Sequence, residues 1–404
     1  MKKNINKSFL IVLLGLLAAL STLTIAMYIP GFHQMAADFR VDESQIAFTL
    51  TSYFIGITIG QLIYGPIIDH FGRKKPLLIS LIIYVLTTVV CSVADSLDMM
   101  ITVRFLQALG ASAGMVSALA IITDVFEPQH RAKAFSLVMT VLGVAPILSP
   151  TLGSFFVASF NWESVFYALT GYGLIVLVLV FFFLPETILY QSKERLSGKL
   201  IMKNYGKVIR NKIFLLYAIG GSLANSVIFA FVAASPAIFM GFYKIPPKQF
   251  ALLYGISAAG AMAGNYLNGI LVKKINFKKM MIFGSVILLV LTAAFVTAAY
   301  LMKDFPIELV VVALFFILLS VGLIYPNTVT SALSPFKELS GSASAMNGSF
   351  MMGMSAFITA VVGVLGRPAP FTMFAIMMGA SILVIVFVQL GKAQDKKFAR
   401  GGEK

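Results

Sequence analysis

Gly60-Gln61-Leu62-Ile63-Tyr64-Gly65-Pro66-Ile67-Ile68-Asp69-His70-Phe71-Gly72-Arg73-Lys74-Lys75-Pro76 is a short charged turn between two long apolar segments. It gathers small residues, one carboxylate and three cations into a single hairpin. A soluble protein has little use for that combination. Two closely packed membrane helices joined by an aqueous turn use every part of it. Gly60 and Gly65 let two backbones approach, Gly72 can take the positive φ of a sharp turn, and the cations stay in water.

Composition extends this reading to the whole chain. Its 404 residues are 59% hydrophobic and 12% charged, against about 45–50% and about 25% in soluble domains. Apolar residues recur in runs of about 20, the length of a helix that crosses a bilayer. Backbone facing lipid must satisfy its own hydrogen bonds, so these runs are read as helices. The short alternating segments of a β-barrel are absent. The expected fold is an all-α membrane protein with twelve spans, at 8–30, 44–68, 76–94, 99–123, 132–158, 163–184, 213–240, 247–271, 280–302, 306–332, 340–364 and 369–390. Most turns are short and join antiparallel neighbours. The polar, basic stretch 185–212 divides the chain into an N-terminal six-helix bundle (1–184) and a C-terminal one (213–391), followed by a basic tail (392–404). That stretch reads as a linker, with a membrane-surface helix around Leu196–Ile209 compatible with its lysine spacing.

An internal echo supports two similar halves. Gly60 and Gly65 reappear 204 residues on as Gly264 and Gly269, and Lys74 and Lys75 as Lys278 and Lys279. Parallel repeats of this kind are a feature of transporter folds. At the same offset Asp69 meets Lys273, so the second half lacks the acidic residue of the turn.

The formal net charge is +15, and its placement excludes nucleic acid as the reason for it. Lys2, Lys3 and Lys7 precede the first span. With that end cytoplasmic, the inner turns, linker and tail hold most cations, while the outer turns hold only Arg40, Lys244, Lys248, Lys303 and Arg367. That is the positive-inside pattern, with both termini cytoplasmic. The N-terminal apolar run exceeds a signal-peptide core and no clear cleavage site follows, so it is read as a retained helix. The single cysteine, Cys91, falls in a span and reads as a small buried side chain. No HExxH, GxSxG, CxxC, Walker motif or pair of membrane carboxylates occurs. An enzyme, a metal centre and an ATP-driven pump are therefore not expected.

Asp69 lies at a helix C-terminal end, where the dipole disfavours a carboxylate. It needs a partner: Arg73, a cation of the other half, or a helix N-terminus. It serves either as a turn cap or as a latch between halves that biases an alternating-access equilibrium. Here the sequence resembles a known family. Gly60, Gly65-Pro66 and Asp69-His70-Phe71-Gly72-Arg73-Lys74 look like the loop signature of the major facilitator superfamily. Arg104-Phe105-Leu106-Gln107-Ala108-Leu109-Gly110-Ala111 looks like its fourth-helix signature, and Val144-Ala145-Pro146-Ile147-Leu148-Ser149-Pro150-Thr151-Leu152-Gly153 like its fifth-helix antiporter signature. With Met27-Tyr28-Ile29-Pro30, Asn161-Trp162-Glu163 and Leu184-Pro185-Glu186-Thr187, the set is similar to the bicyclomycin/chloramphenicol-type drug:proton antiporters. The motifs cover 20–190; the second half matches in hydropathy and the glycine pair. The resemblance implies a central cavity between the halves, export across a bacterial inner membrane, no cofactor beyond the proton gradient, and proton coupling that involves Arg104.

One departure stands out. Related exporters carry an aspartate just before Met27, where this chain has Ala26, and no carboxylate falls at mid-depth in any other span. His33 is a substitute carrier or a surface histidine at the outer mouth. Arg104 faces the interior unless it snorkels outward, because a lipid-exposed arginine is costly. Gln107 shares its pocket, and Asp124 is read as a structural partner of Arg73 or Arg131.

The remaining cavity candidates are neutral: Thr24, Tyr28, Tyr53, Asn225, Asn265, Asn268, Tyr325, Asn327 and Asn347. Amides and phenols suit neutral or zwitterionic substrates, or else serve as interhelical glue. Pro146, Pro150 and Gly153 are expected to bend the fifth span and support an outer gate. The expected function is multidrug-type efflux of small organic compounds by a monomer in the lipid bilayer. The rival readings are a carrier of one metabolite or siderophore-type ligand, and a non-transporting membrane sensor or enzyme.

Overall fold

Pro30 decides where the first membrane helix stops. The computed structural model describes residues 7–126, 128–187, 198–272, 274–302, 304–336, 339–365 and 369–401. In it α1 covers Lys7–Ala26. Proline has no N–H to offer the carbonyl four residues back. The chain therefore passes through a 3-10 turn at Ile29–Gly31 into a short α2, Phe32–Phe39. The span expected over 8–30 thus ends as helix at Ala26.

The helices that follow are α3 (Ala47–Phe71), α4 (Lys74–Cys91), α5 (Leu97–Val125), α6 (Pro128–Ser159) and α7 (Glu163–Phe183). After them come α8 (Gly198–Arg210), α9 (Lys212–Pro236), α10 (Pro247–Leu271) and α11 (Phe277–Leu301). The chain closes with α12 (Ile307–Leu333), α13 (Ser340–Leu365) and α14 (Pro370–Gly401). No strand occurs among the described residues. Ten helices there are long and apolar enough to cross a membrane. The fifth and eighth expected spans are α6 and α10, of 32 and 25 residues. At about 1.5 Å per residue both exceed the ~30 Å hydrocarbon core. After Pro236, α9 loosens into a π-helical turn over Ala237–Phe242, the kind of irregularity a proline induces.

The chain divides into two compact units: Met1–Val41 with Ser52–Ser197, and Asp42–Thr51 with Gly198–Lys404. This differs from the expected division in three places. Residues 42–51 group with the second unit, where the Thr51 and Thr359 hydroxyls lie 2.8 Å apart. The linker contains α8, which packs on α9 and α13. The tail is no separate element, because α14 runs unbroken to Gly401.

Within the first unit, small residues bring α5 into backbone contact with three neighbours. A Cβ at Gly114 would lie 2.7 Å from the Leu17 carbonyl of α1, and one at Gly110 2.8 Å from the Ser80 carbonyl of α4. One at Gly60 of α3 would overlap the Ser112 hydroxyl of α5. The second unit repeats the device, since a Cβ at Gly264 of α10 would overlap the Leu319 carbonyl of α12. Gly65 and Gly269 behave differently from the sequence expectation: nothing lies within 4 Å of either added Cβ. Large apolar side chains such as Leu86, Phe155, Phe182 and Val290 are exposed, as expected of surfaces solvated by lipid.

An apolar groove lies in each unit among the described residues. The first, of about 550 Å³, lies among α1, α6 and α7, and the second, of about 610 Å³, among α9, α13 and α14. Ala19, Ala168 and Tyr172 line the first; Leu223, Thr372 and Ile376 line the second. These are the same 204-residue offset again.

Candidate functional site

The end of α1 builds the site. The last carbonyls of a helix lack an intrahelical donor, and Pro30 forces that end four residues earlier. The Thr24 carbonyl is therefore available, and Arg104 of α5 donates to it through NH2 at 3.2 Å. Arg104 NH1 donates to Gln107 Oε1 at 2.6 Å, one turn along α5. Gln107 Nε2 donates onward to the Thr88 hydroxyl at 2.7 Å. The Thr24 and Tyr84 hydroxyls are 2.8 Å apart. Gly153 keeps this end of α1 against α6, since a Cβ there would overlap the Met27 carbonyl.

Arg104 is fully buried. Its guanidinium carbon lies 4.1 Å from the Tyr28 ring centre, 4.4 Å from that of Tyr53 and 6.0 Å from that of Phe166. No carboxylate pairs with it among the described residues. A buried cation costs several kcal/mol. Two charge-assisted hydrogen bonds, each about 1.5–3 kcal/mol, and stacked rings at up to ~2 kcal/mol each when desolvated, are the terms that offset this cost. The Arg104 Nε and the Tyr53 hydroxyl are buried without a hydrogen-bond partner.

The structure thus brings Thr24, Tyr28, Tyr53, Arg104 and Gln107 together, but as a closed centre: none is more than 1% exposed. Tyr84, Thr88 and Phe166 complete it and were not anticipated. They lie in α4 and α7, spans in which the sequence marks no other polar cavity residue. Ala26 is buried. His33 is exposed at the start of α2.

The neutral candidates of the second unit do not form one cluster. Asn327 Nδ2 donates to Asn268 Oδ1 at 2.7 Å and to the Leu323 carbonyl at 2.8 Å, an amide pair that ties α12 to α10. Tyr325 donates to the Met351 sulfur of α13 at 2.8 Å. Asn225 and Asn347 are buried, and Asn265 is exposed.

The charged turn has its own geometry. Gly72 adopts φ +91°, and a Cβ there would overlap the Glu186 carboxylate. Glu186, just past α7, accepts from the backbone N–H groups of Arg73 at 2.8 Å and Lys74 at 3.2 Å, and so caps α4. Arg73 pairs with Asp69 and donates through Nε to Asp124 at 2.9 Å. Asp124 also accepts from Thr187 at 2.9 Å. Burial works against the charged Arg73, but the two carboxylates outweigh it and hold the guanidinium above its ordinary range. All these partners lie in the first unit, and the Asp69 side chain remains 70% exposed. The second unit has a counterpart: Lys278, at the start of α11, donates to Asp395 at 2.6 Å, and Tyr217 donates to the same oxygen at 2.7 Å. Glu186 and Asp395 were missed. The available signal was an acid following the last span of each half. Pro150 is buried in α6, while the side chains of Pro146 and Arg131 lie outside the described residues.

Membrane-length helices in two units that repeat at one offset, with a buried cation at the centre of the first, define a polytopic membrane transporter. Residues 14–360 match the Major Facilitator Superfamily, and the chain belongs to that family. It is 31% identical over 87% of its length to an uncharacterized MFS-type transporter, YdgK, of Bacillus subtilis, covering 88% of that protein. It is 28% identical over 95% of its length to a bicyclomycin resistance protein homolog of Haemophilus influenzae, covering 97% of it. The fold matches a bacterial homolog of the human lysosomal transporter Spinster with a TM-score of 0.74 at 15% identity, over 98% of both chains.

Proposed function

We propose that this chain is a secondary exporter of small organic compounds, working by alternating access in a bacterial inner membrane, as a monomer with both termini cytoplasmic. The observation that carries the reading is the Arg104 centre: a cation kept wholly out of water, held by a helix-end carbonyl and an amide. Such a group is expensive to bury, and an ionisable residue inside a membrane span marks a functional site. The resistance named for the Haemophilus influenzae relative supports drug-type cargo. Asp69 and Arg73 act as the inner gate, with the exposed side of Asp69 open to a further partner. Pro146, Pro150 and Gly153 support the outer gate.

The driving ion is the proton. With Ala26 at the aspartate position, the drug range is narrower for lipophilic cations, because no anion offsets their desolvation. Expression in an efflux-deficient host is expected to raise resistance to a subset of compounds, and in proteoliposomes their flux is expected to move protons. Flux without proton movement removes the antiporter, and accumulation in place of expulsion makes the chain an importer. Ala26→Asp is expected to widen resistance toward cationic drugs. An unchanged profile in a correctly inserted variant would show that position to be silent.

A further inference from the structure

Two polar atoms of the Arg104 centre make no hydrogen bond of good geometry. The Arg104 Nε–H and the Tyr53 hydroxyl are both fully buried and both lack a hydrogen-bond partner. The Tyr53 hydroxyl lies near the Ser21 and Thr24 hydroxyls without making a hydrogen bond of good geometry to either. An orphaned buried donor is costly and rare in folded proteins. Here two occur on neighbouring side chains, with the guanidinium carbon 4.4 Å from the ring centre.

Their chemistry narrows what they await. The guanidinium N–H only donates, and a phenol donates to any strong acceptor. The surroundings already supply acceptors to the other two guanidinium nitrogens, a neutral amide oxygen and a carbonyl. Neither brings negative charge, and the guanidinium meets the rings of Tyr28 and Phe166 over their faces. What is missing is one acceptor that is also an anion. Arginine binds carboxylates through neighbouring N–H groups, and a desolvated site strengthens the pairing.

We infer that Arg104 and Tyr53 form the seat of a carboxylate group, so that the preferred cargo is an amphipathic acid or zwitterion with an aromatic or aliphatic body. Arg104 Nε and the Tyr53 hydroxyl take one carboxylate oxygen. The inference rests on the transporter reading only in calling this ligand a cargo. It also gives the missing helix-one aspartate a consequence. A carboxylate at residue 26 would compete for the same cation, and alanine leaves Arg104 free for the anion of the cargo.

The test compares acids with their amides on the purified full-length protein. Thermal unfolding is followed in detergent with benzoate against benzamide and octanoate against octanamide, at constant ionic strength, with added chloride as a separate arm. Saturable stabilisation by an acid, absent with its amide and with chloride, is expected. Tyr53→Phe removes only the orphaned hydroxyl and is expected to weaken the acid by about tenfold. Arg104→Lys, which keeps the charge but loses Nε–H, is expected to abolish the preference for acid over amide. Acids no better than their amides, chloride equal to the acids, or undiminished acid binding in a folded Tyr53→Phe overturns the seat. If both variants fail to fold, the wild-type comparison alone decides. Acid-selective binding in a protein that exports nothing would remove the exporter and keep the seat. Export without acid selectivity would do the reverse.

Discussion

Arg104→Ala removes, in one step, the donor to Gln107 Oε1, the donor to the Thr24 carbonyl and the cation between the Tyr28 and Tyr53 rings. Active transport is expected to fall by far more than tenfold, a factor that only ~1.4 kcal/mol of lost electrostatics supplies. The helices keep their spans, so the variant is expected to insert and migrate as folded protein. Wild-type transport by it would take Arg104 out of the mechanism. Gly72→Ala acts by another route: φ +91° is strained for a residue with a Cβ, and the added methyl meets Glu186. A loss of about 1–3 kcal/mol is expected in thermal unfolding. These residues show what was legible in advance. Arg104 and Gln107 sit one helical turn apart, so their pairing follows from spacing alone. The positive φ at Gly72 follows from the turn. Tyr84 and Thr88 lie in α4 and Phe166 in α7, spans with no polar pattern, and only the packing of α4 on α5 and of α7 on α4 and α1 brings them to the cation.

Helix pairs obey the glycine pattern selectively. Gly60 and Gly264 touch the next-but-one helix, whereas Gly65 and Gly269 face open space. Gly264→Ala is expected to destabilise most, by about 1–3 kcal/mol, because it meets the Leu319 backbone, which cannot step aside. Gly60→Ala is relieved in part by Ser112→Gly, and Gly65→Ala and Gly269→Ala cost little. Equal loss of stability in all four would contradict the geometry. A sequence shows which glycines repeat but not which of them meet a neighbour. The same is true of caps: Glu186 follows α7 by only a few residues, yet its partners are the N–H groups that open α4. Glu186→Ala frees those groups and is expected to cost about 0.5–2 kcal/mol, read by the same unfolding assay.

At the scale of the whole molecule, the twelve spans and the two-fold internal repeat were readable because bilayer thickness and hydrophobic run length are the same quantity in different units. The topology can be tested with the chain's own chemistry. Cys91 is the single cysteine and is buried, so an introduced thiol reports without background. Asp95→Cys is expected to react with an impermeant maleimide added outside cells, and Lys75→Cys only after lysis. Labelling in the opposite order would invert the orientation. The two units share glycine positions and groove-lining residues at a 204-residue offset, but the first has a buried cation and the second an amide pair.

α14 is the longest rod in the second unit. Its 32 residues span about 48 Å, against ~30 Å of hydrocarbon, so its last turns emerge into water without a break. A rigid rod pivoting in the membrane works as a lever. A tilt of about 10° swings the far end of such a rod by about 8 Å. Asp395 sits on the emergent part and is roped to Lys278 and Tyr217. Tail and α11 turn are thereby coupled mechanically, and a load hung on the C-terminus pulls on the basic turn of its own unit.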